Sequence, residues 1–242
     1  MDYRRQNLFK CSWLLQVSVI TMVIFAILGN NAFAKSTTRQ IDTDKTVGLE
    51  NSNLSIVFNK TTGSLVGIKN NAVDDEYVKN AAGGLFRAYI NVKPVTQKPQ
   101  GGTMITAADC VLMYSSFEET KDGQSLTMTL KHGDSGFEFT IVVELADNSL
   151  FADCGMTVTN YGQKKNVLMV DFPYIAGLCL GDNAETNLGL YLAGSGITGE
   201  KAWEDKARLY GNGFSMQWNA VYDKASKLSL GTIILDKEFG NK

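Results

Sequence analysis

Histidine is almost missing from this chain, with His132 the single one among 242 residues. Any Ser-His-Asp or Cys-His arrangement would have to use it, and no Gly-x-Ser-x-Gly elbow is present. It stands in His132-Gly133-Asp134-Ser135-Gly136, a hairpin-turn composition, so a solvated turn residue is expected there and a catalytic one is not. His-x-x-x-His and EF-hand patterns are absent as well, and neither a metal nor a cofactor is expected. Charge of one sign is also lacking: 23 Lys and Arg face 25 Asp and Glu, a formal charge of −2. That balance gives no electrostatic reason to expect nucleic acid or an anionic membrane as a partner. Hydrophobic residues at 44% and charged residues at 20% exclude a disordered or collagen-like chain.

The one long apolar run lies at the start. Arg4, Arg5 and Lys10 precede the 18 residues Cys11 to Leu28, in which only Ser12, Gln16, Ser18 and Thr21 are polar. Gly29-Asn30-Asn31 breaks the run, and Ala32-Phe33-Ala34 supplies the small-x-small pattern of a cleavage site. This three-part order reads as an export signal over residues 1–34, against the competing reading of an uncleaved anchor. The expected destination is periplasmic or extracellular, with no membrane association beyond the signal.

Cys110, Cys154 and Cys179 remain after cleavage, an odd number, so at most one bridge can form within the exported part. Their spacings of 44 and 25 residues match no zinc pattern. Cys154 shares strand parity with Ala152 and Met156, and buried thiols are the expectation.

Residues 35–46 are polar and read as a flexible leader, and residues 47–236 read as a single domain built almost wholly of strands. Leu54, Ile56 and Phe58 alternate with polar or smaller neighbours, Asn59-Lys60-Thr61-Thr62-Gly63 is a turn, and Leu65–Ile68 returns. Leu85–Val92 is another candidate. Leu126, Met128 and Leu130, then Phe137, Phe139, Ile141, Val143 and Leu145, form a second hairpin around the His132 turn. Met156–Tyr161 and Asn166–Ile175 read as a third. Phe214, Met216, Trp218, Ala220 and Tyr222 share one face, and Leu228–Leu235 closes the run. Helix signals reach only Asp74–Ala82 and Gly199–Leu209. An all-β, antiparallel β-sandwich follows, because each apolar strand face needs a second sheet to cover it.

Groups suited to chemistry are few. Gly194-Ser195-Gly196-Ile197-Thr198-Gly199 spells a dinucleotide fingerprint without its βαβ setting and reads as a loop. Asp74-Asp75-Glu76 and Glu118-Glu119 read as solvated runs, since sequence neighbours rarely oppose each other across a scissile bond. Asp171, before Phe172-Pro173-Tyr174, is the one acid inside an apolar, aromatic segment, either a buried structural acid or a ligand contact. Trp203, in the charged stretch Glu200–Lys206, reads as the better exposed ring, while parity places Trp218 in the core.

Three segments together resemble the galactose-mutarotase-like β-supersandwich of carbohydrate-active enzymes: the hairpin Leu54–Ile68, the stretch Val170–Leu178, and Tyr210–Asp223. Similar segments occur in this order in poorly characterised exported bacterial proteins, where the sandwich precedes a glycoside-hydrolase-type (β/α)8 barrel. The similarity spans residues 47–236. What it implies is a non-catalytic, carbohydrate-associated sandwich with Trp203, Tyr210, Asp171 and Tyr174 as glycan-contact candidates and a (β/α)8 barrel of a longer parent as partner. In such proteins the catalytic carboxylates come from the barrel, and here the chain stops at Asp236–Lys242, with 237–242 read as a tail or truncation point. The His and Glu of a mutarotase have no counterparts, His132 lying in a turn. The alternative is a self-sufficient sugar epimerase or lyase on the same fold.

Overall fold

The computed structural model describes residues 37–79, 83–90, 103–133, 135–162, 167–181, 183–184, 189–192, 197–199, 218–223 and 225–233. The chain opens with a five-stranded antiparallel meander: β1 (Arg39–Asp42), β2 (Thr46–Glu50), β3 (Leu54–Asn59), β4 (Leu65–Asn70) and β5 (Asp75–Glu76). Leu54, Ile56 and Phe58 are at most 2% exposed and form its core face, as their spacing requires. In the β3–β4 turn Asn59 Oδ1 accepts the Thr61 and Thr62 amides at 2.8 and 3.0 Å. Gly63 follows at φ +75°, where a Cβ would stand 2.6 Å from the Leu130 side chain. Only glycine combines that backbone with that packing.

The residues expected to be a flexible leader are corrected by β1. This strand pairs with β2 from Arg39↔Glu50 to Asp42↔Val47, and the Thr38 amide donates to Asp147 Oδ1 at 2.6 Å. It escaped pattern reading because an edge strand whose side chains face solvent carries no apolar alternation.

Next come β6 (Leu85–Ile90) and β7 (Thr103–Thr106), an antiparallel pair, followed by a 3-10 turn at Ala107–Asp109. Then β8 (Val111–Glu119), β9 (Gly123–Lys131), β10 (Phe137–Ala146) and β11 (Ala152–Asn160) make a four-stranded sheet in the order β11-β10-β9-β8. Phe137, Phe139, Ile141, Val143 and Leu145 are all buried on one face of β10. The chain then crosses over: β12 (Val167–Tyr174) pairs with β6, not with β11. The third hairpin expected from sequence is therefore replaced by a hairpin of β10 with β11, closing at Leu145↔Ala152, and by the long-range pairing of β12 with β6. The helical reading of Asp74–Ala82 also fails over its described part, where β5 is followed by a bridge between Val78 and Leu178.

The short pair β13 (Cys179–Leu180) and β14 (Asn183–Ala184) precedes a last four-stranded sheet. That sheet is ordered β16-β15-β17-β18, from β15 (Gly189–Leu192), β16 (Ile197–Gly199), β17 (Trp218–Tyr222) and β18 (Ser229–Ile233).

The inner faces of the early sheets feed one hydrophobic cluster, which makes the fold an antiparallel β-sandwich. Phe86 of β6 and Phe139 of β10, each 0% exposed, stack with ring centroids 4.3 Å apart. A buried asparagine clasp ties the β2–β3 turn to the β10–β11 turn. Asn51 Nδ2 donates to the Ala146 and Ser149 carbonyls, each at 2.9 Å, while its Oδ1 accepts the Asn53 and Leu54 amides. Asn53 Nδ2 reaches the Asn148 carbonyl at 2.8 Å. These amides satisfy backbone groups that turns leave unpaired, where an apolar residue would strand them.

Candidate functional site

Of the four contact residues expected from sequence, Trp203 and Tyr210 lie outside the described residues. Asp171 and Tyr174 are described, and they come together with a residue the sequence reading missed, Arg87. Strand alternation on β6 sends Phe86, Ala88 and Ile90 into the core and leaves Arg87 on the outward face. Asp171 of β12 sits directly opposite Arg87 in the ladder. Arg87 Nε donates to Asp171 Oδ2 at 2.9 Å and Nη2 meets the same oxygen at 2.9 Å. Each side chain is 26% exposed, so the pair is open to solvent along part of its surface.

Tyr174 reaches this face through a bulge. The register passes from Asp171↔Arg87 to Tyr174↔Leu85, so three residues of β12 oppose two of β6. In an unbroken strand Tyr174 would share the core parity of Phe172, and the extra residue turns it outward. The bulge contains the cis Phe172–Pro173 peptide. The Arg87 guanidinium carbon then lies 4.3 Å from the Tyr174 ring centroid. Such a contact holds the guanidinium flat against the ring while it grips the carboxylate. Along the same face Thr106 stands opposite Arg87, and Met104, 51% exposed, stands opposite Tyr89. The signal available in sequence was a lone arginine inside Leu85–Ile90, an otherwise apolar strand.

This arrangement offers fixed donors, a carboxylate acceptor and an aromatic ring side by side, which is the equipment of a binding surface. Among the described residues the histidine and the cysteines stand elsewhere. His132 shares a 2.8 Å hydrogen bond between Nδ1 and Ser135 Oγ within its turn. Cys110, Cys154 and Cys179 are all free and buried, the buried thiols expected from sequence. Burial pushes the Cys110 and Cys154 thiols up to about 12 and raises that of Cys179, so none is a nucleophile near neutrality.

Among the acids, Asp74 pairs with Lys69, and Asp75 Oδ2 accepts the Gly181 amide at 3.0 Å. Asp153 stands opposite Glu144 on the outward side of the four-stranded sheet, and burial raises its carboxyl above the usual range. Among the described residues no group of three or more His, Cys, Asp or Glu could hold a metal ion. No helix among them is long and apolar enough to cross a membrane. The segment 1–34 read as an export signal and Gly194-Ser195-Gly196 fall outside the described residues, and the loop reading of Gly194–Gly199 is corrected at its end, where Ile197–Gly199 forms β16.

The fold and this face define an antiparallel β-sandwich with an amphipathic outward patch. The chain matches no protein-family model and no curated protein sequence.

Proposed function

We propose that this chain is a non-catalytic, carbohydrate-contacting β-sandwich of an exported glycoside-hydrolase-like protein. In this reading Arg87, Asp171 and Tyr174 touch the glycan, with Trp203 and Tyr210 as further contacts and a (β/α)8 barrel supplying catalysis. The observation that carries the reading is the Asp171–Arg87–Tyr174 cluster. A pyranose has an apolar C–H face and a rim of hydroxyls, and a ring beside a paired donor and acceptor complements both. The galactose-mutarotase-like affinity proposed from residues 54–68, 170–178 and 210–223 supports the same ligand class.

Affinity electrophoresis through gels containing neutral polysaccharides tests it. Retardation is expected for the wild-type chain and is expected to weaken about three- to tenfold in Tyr174→Ala, the scale of one aromatic contact. Equal retardation of wild type and Tyr174→Ala, or none for either, would overturn the assignment of this face. Turnover of sugar by the purified chain would overturn its non-catalytic character.

A further inference from the structure

A second surface feature, which shares no lining residue with the Arg87 cluster, lies on the outward side of the first sheet. A depression of about 420 Å³ is lined by Ser55, Val57, Gly67, Lys69, Glu76 and Lys79 among others. That volume is within the size range of small-molecule sites. Its floor is Val57, whose ladder neighbours are glycines on both sides, Gly48 on β2 and Gly67 on β4. The two glycines have different reasons. A Cβ at Gly48 would collide with the Ile56 carbonyl oxygen, so the strand spacing demands glycine there. A Cβ at Gly67 would meet only the Val57 Cβ at 3.8 Å, an ordinary contact. Gly67 also borders a bulge, where the register passes from Val57↔Gly67 to Phe58↔Leu65, a second setting in which strand glycines occur. The effect of glycine there is to leave the middle of the depression empty, the use strand glycines serve where a ligand approaches.

The walls mix the apolar Val66, Ile68 and Val78 with charged side chains. Ser55 stands between Glu50 and Lys69 in the ladder, and Lys69 faces Glu76 across the next pair. Glu50 is engaged by Arg39 at 2.8 Å, and Lys69 by Asp74. Lys79 has no ion pair among the described residues. The rim from Glu76 to Lys79 is pinned from below: Cys179 donates its amide to the Tyr77 carbonyl at 2.8 Å, and the Lys79 amide reaches the Gly177 carbonyl at 2.8 Å. Tyr77 is itself buried and accepts from Asn70 Nδ2 at 2.8 Å. A preformed rim keeps the ordering cost of a bound ligand small.

We infer that this depression is a second ligand site, which takes an acidic sugar residue of the hexuronate type. The ring's apolar face would lie on Val57 and the bare Gly67 backbone, its carboxylate would meet Lys79, and its hydroxyls would find Ser55 and Glu76. A cation with no ion pair among the described residues, beside a hydroxyl and a carboxylate acceptor, matches a ring that carries a single anionic group among hydroxyls. The choice of a sugar rests on the carbohydrate reading proposed above, while the depression shares no lining residue with the Arg87 cluster, so either site can fail alone.

The test is isothermal titration of the whole chain with oligogalacturonate, beside a neutral oligosaccharide of equal length. Wild type is expected to bind the acidic oligomer, Lys79→Gln to bind it at least fivefold more weakly, and Gly67→Leu to lose it. Gly67→Leu has room for its Cβ, and thermal unfolding no lower than wild type would show that it fills the depression without unfolding the sheet. Tyr174→Ala is expected to leave this binding unchanged. Absence of oligogalacturonate binding, equal affinity for the neutral oligomer, or full binding by a folded Gly67→Leu would overturn the inference.

Discussion

The stacked pair Phe86–Phe139 gives the sandwich a quantitative test, because its two rings come from strands in different sheets and are both 0% exposed. Replacing either phenylalanine by leucine keeps an apolar side chain in the core and removes the ring–ring contact, at a cost of roughly 1–2 kcal/mol for each change. Replacing both removes the same contact once, so the double variant should be less destabilised than the sum. The rings lie at 4.3 Å with an interplanar angle of 26°, close to an offset stack, which sets the expected coupling near 1 kcal/mol within a range of about 0.5–1.5. Urea unfolding of wild type, Phe86→Leu, Phe139→Leu and the double variant measures it from midpoints at constant slope. Additivity within about 0.3 kcal/mol would mean that the rings do not meet, and the packing of β6 across β10 would be wrong.

Two further outcomes follow from burial. Iodoacetamide at pH 8 should leave Cys110, Cys154 and Cys179 unmodified in the native chain and modify all three in urea, as read by peptide mapping; native modification of Cys110 or Cys154 would contradict their burial. The same thiols fix a sign for alkaline stability. The folded values of Cys110 and Cys154, raised from 9.0 to about 12, favour the folded state below pH 9, and that stability is lost as pH climbs from 9 towards 12, at about 1.4 kcal/mol per pH unit for each of these two thiols. Asn51→Ala removes two donated and two accepted hydrogen bonds at a residue 6% exposed, and is expected to cost about 2–4 kcal/mol in the same urea assay; a loss below about 0.5 kcal/mol would show that the clasp does not join the two turns.

Strands that bury one face at regular alternation were legible in sequence, and strands without that alternation were not. Leu54-Ser55-Ile56-Val57-Phe58 and Phe137–Leu145 carry period-two alternation because the sheet beneath them demands it, and both strands lie where that alternation put them. By contrast β1 and β8 are edges. The burial of β8 has no regular period, and a bulge between Leu112 and Tyr114 breaks its register, so Val111, Met113 and Tyr114 are exposed in a run that reads as apolar. The pairing of β12 with β6 was hidden for a different reason. Alternation states which side chains share a face, and carries no information about which distant strand supplies the neighbour.

The site divides in the same way. Asp171 stood out as an acid among aromatics, and Tyr174 came with it. Their partner Arg87 lies 84 positions before Asp171 and joins them only through the crossover. The outward turn of Tyr174 depends on a one-residue bulge that composition does not encode.

The proposal that this face meets carbohydrate is tested most directly by following the Arg87 Nε–H resonance by NMR during titration with the polysaccharide fragment that retards the chain most. Progressive, saturable shift of that resonance in wild type and its loss of response in Tyr174→Ala are predicted. Saturable glycan binding that leaves the Arg87 signal unmoved would contradict the account.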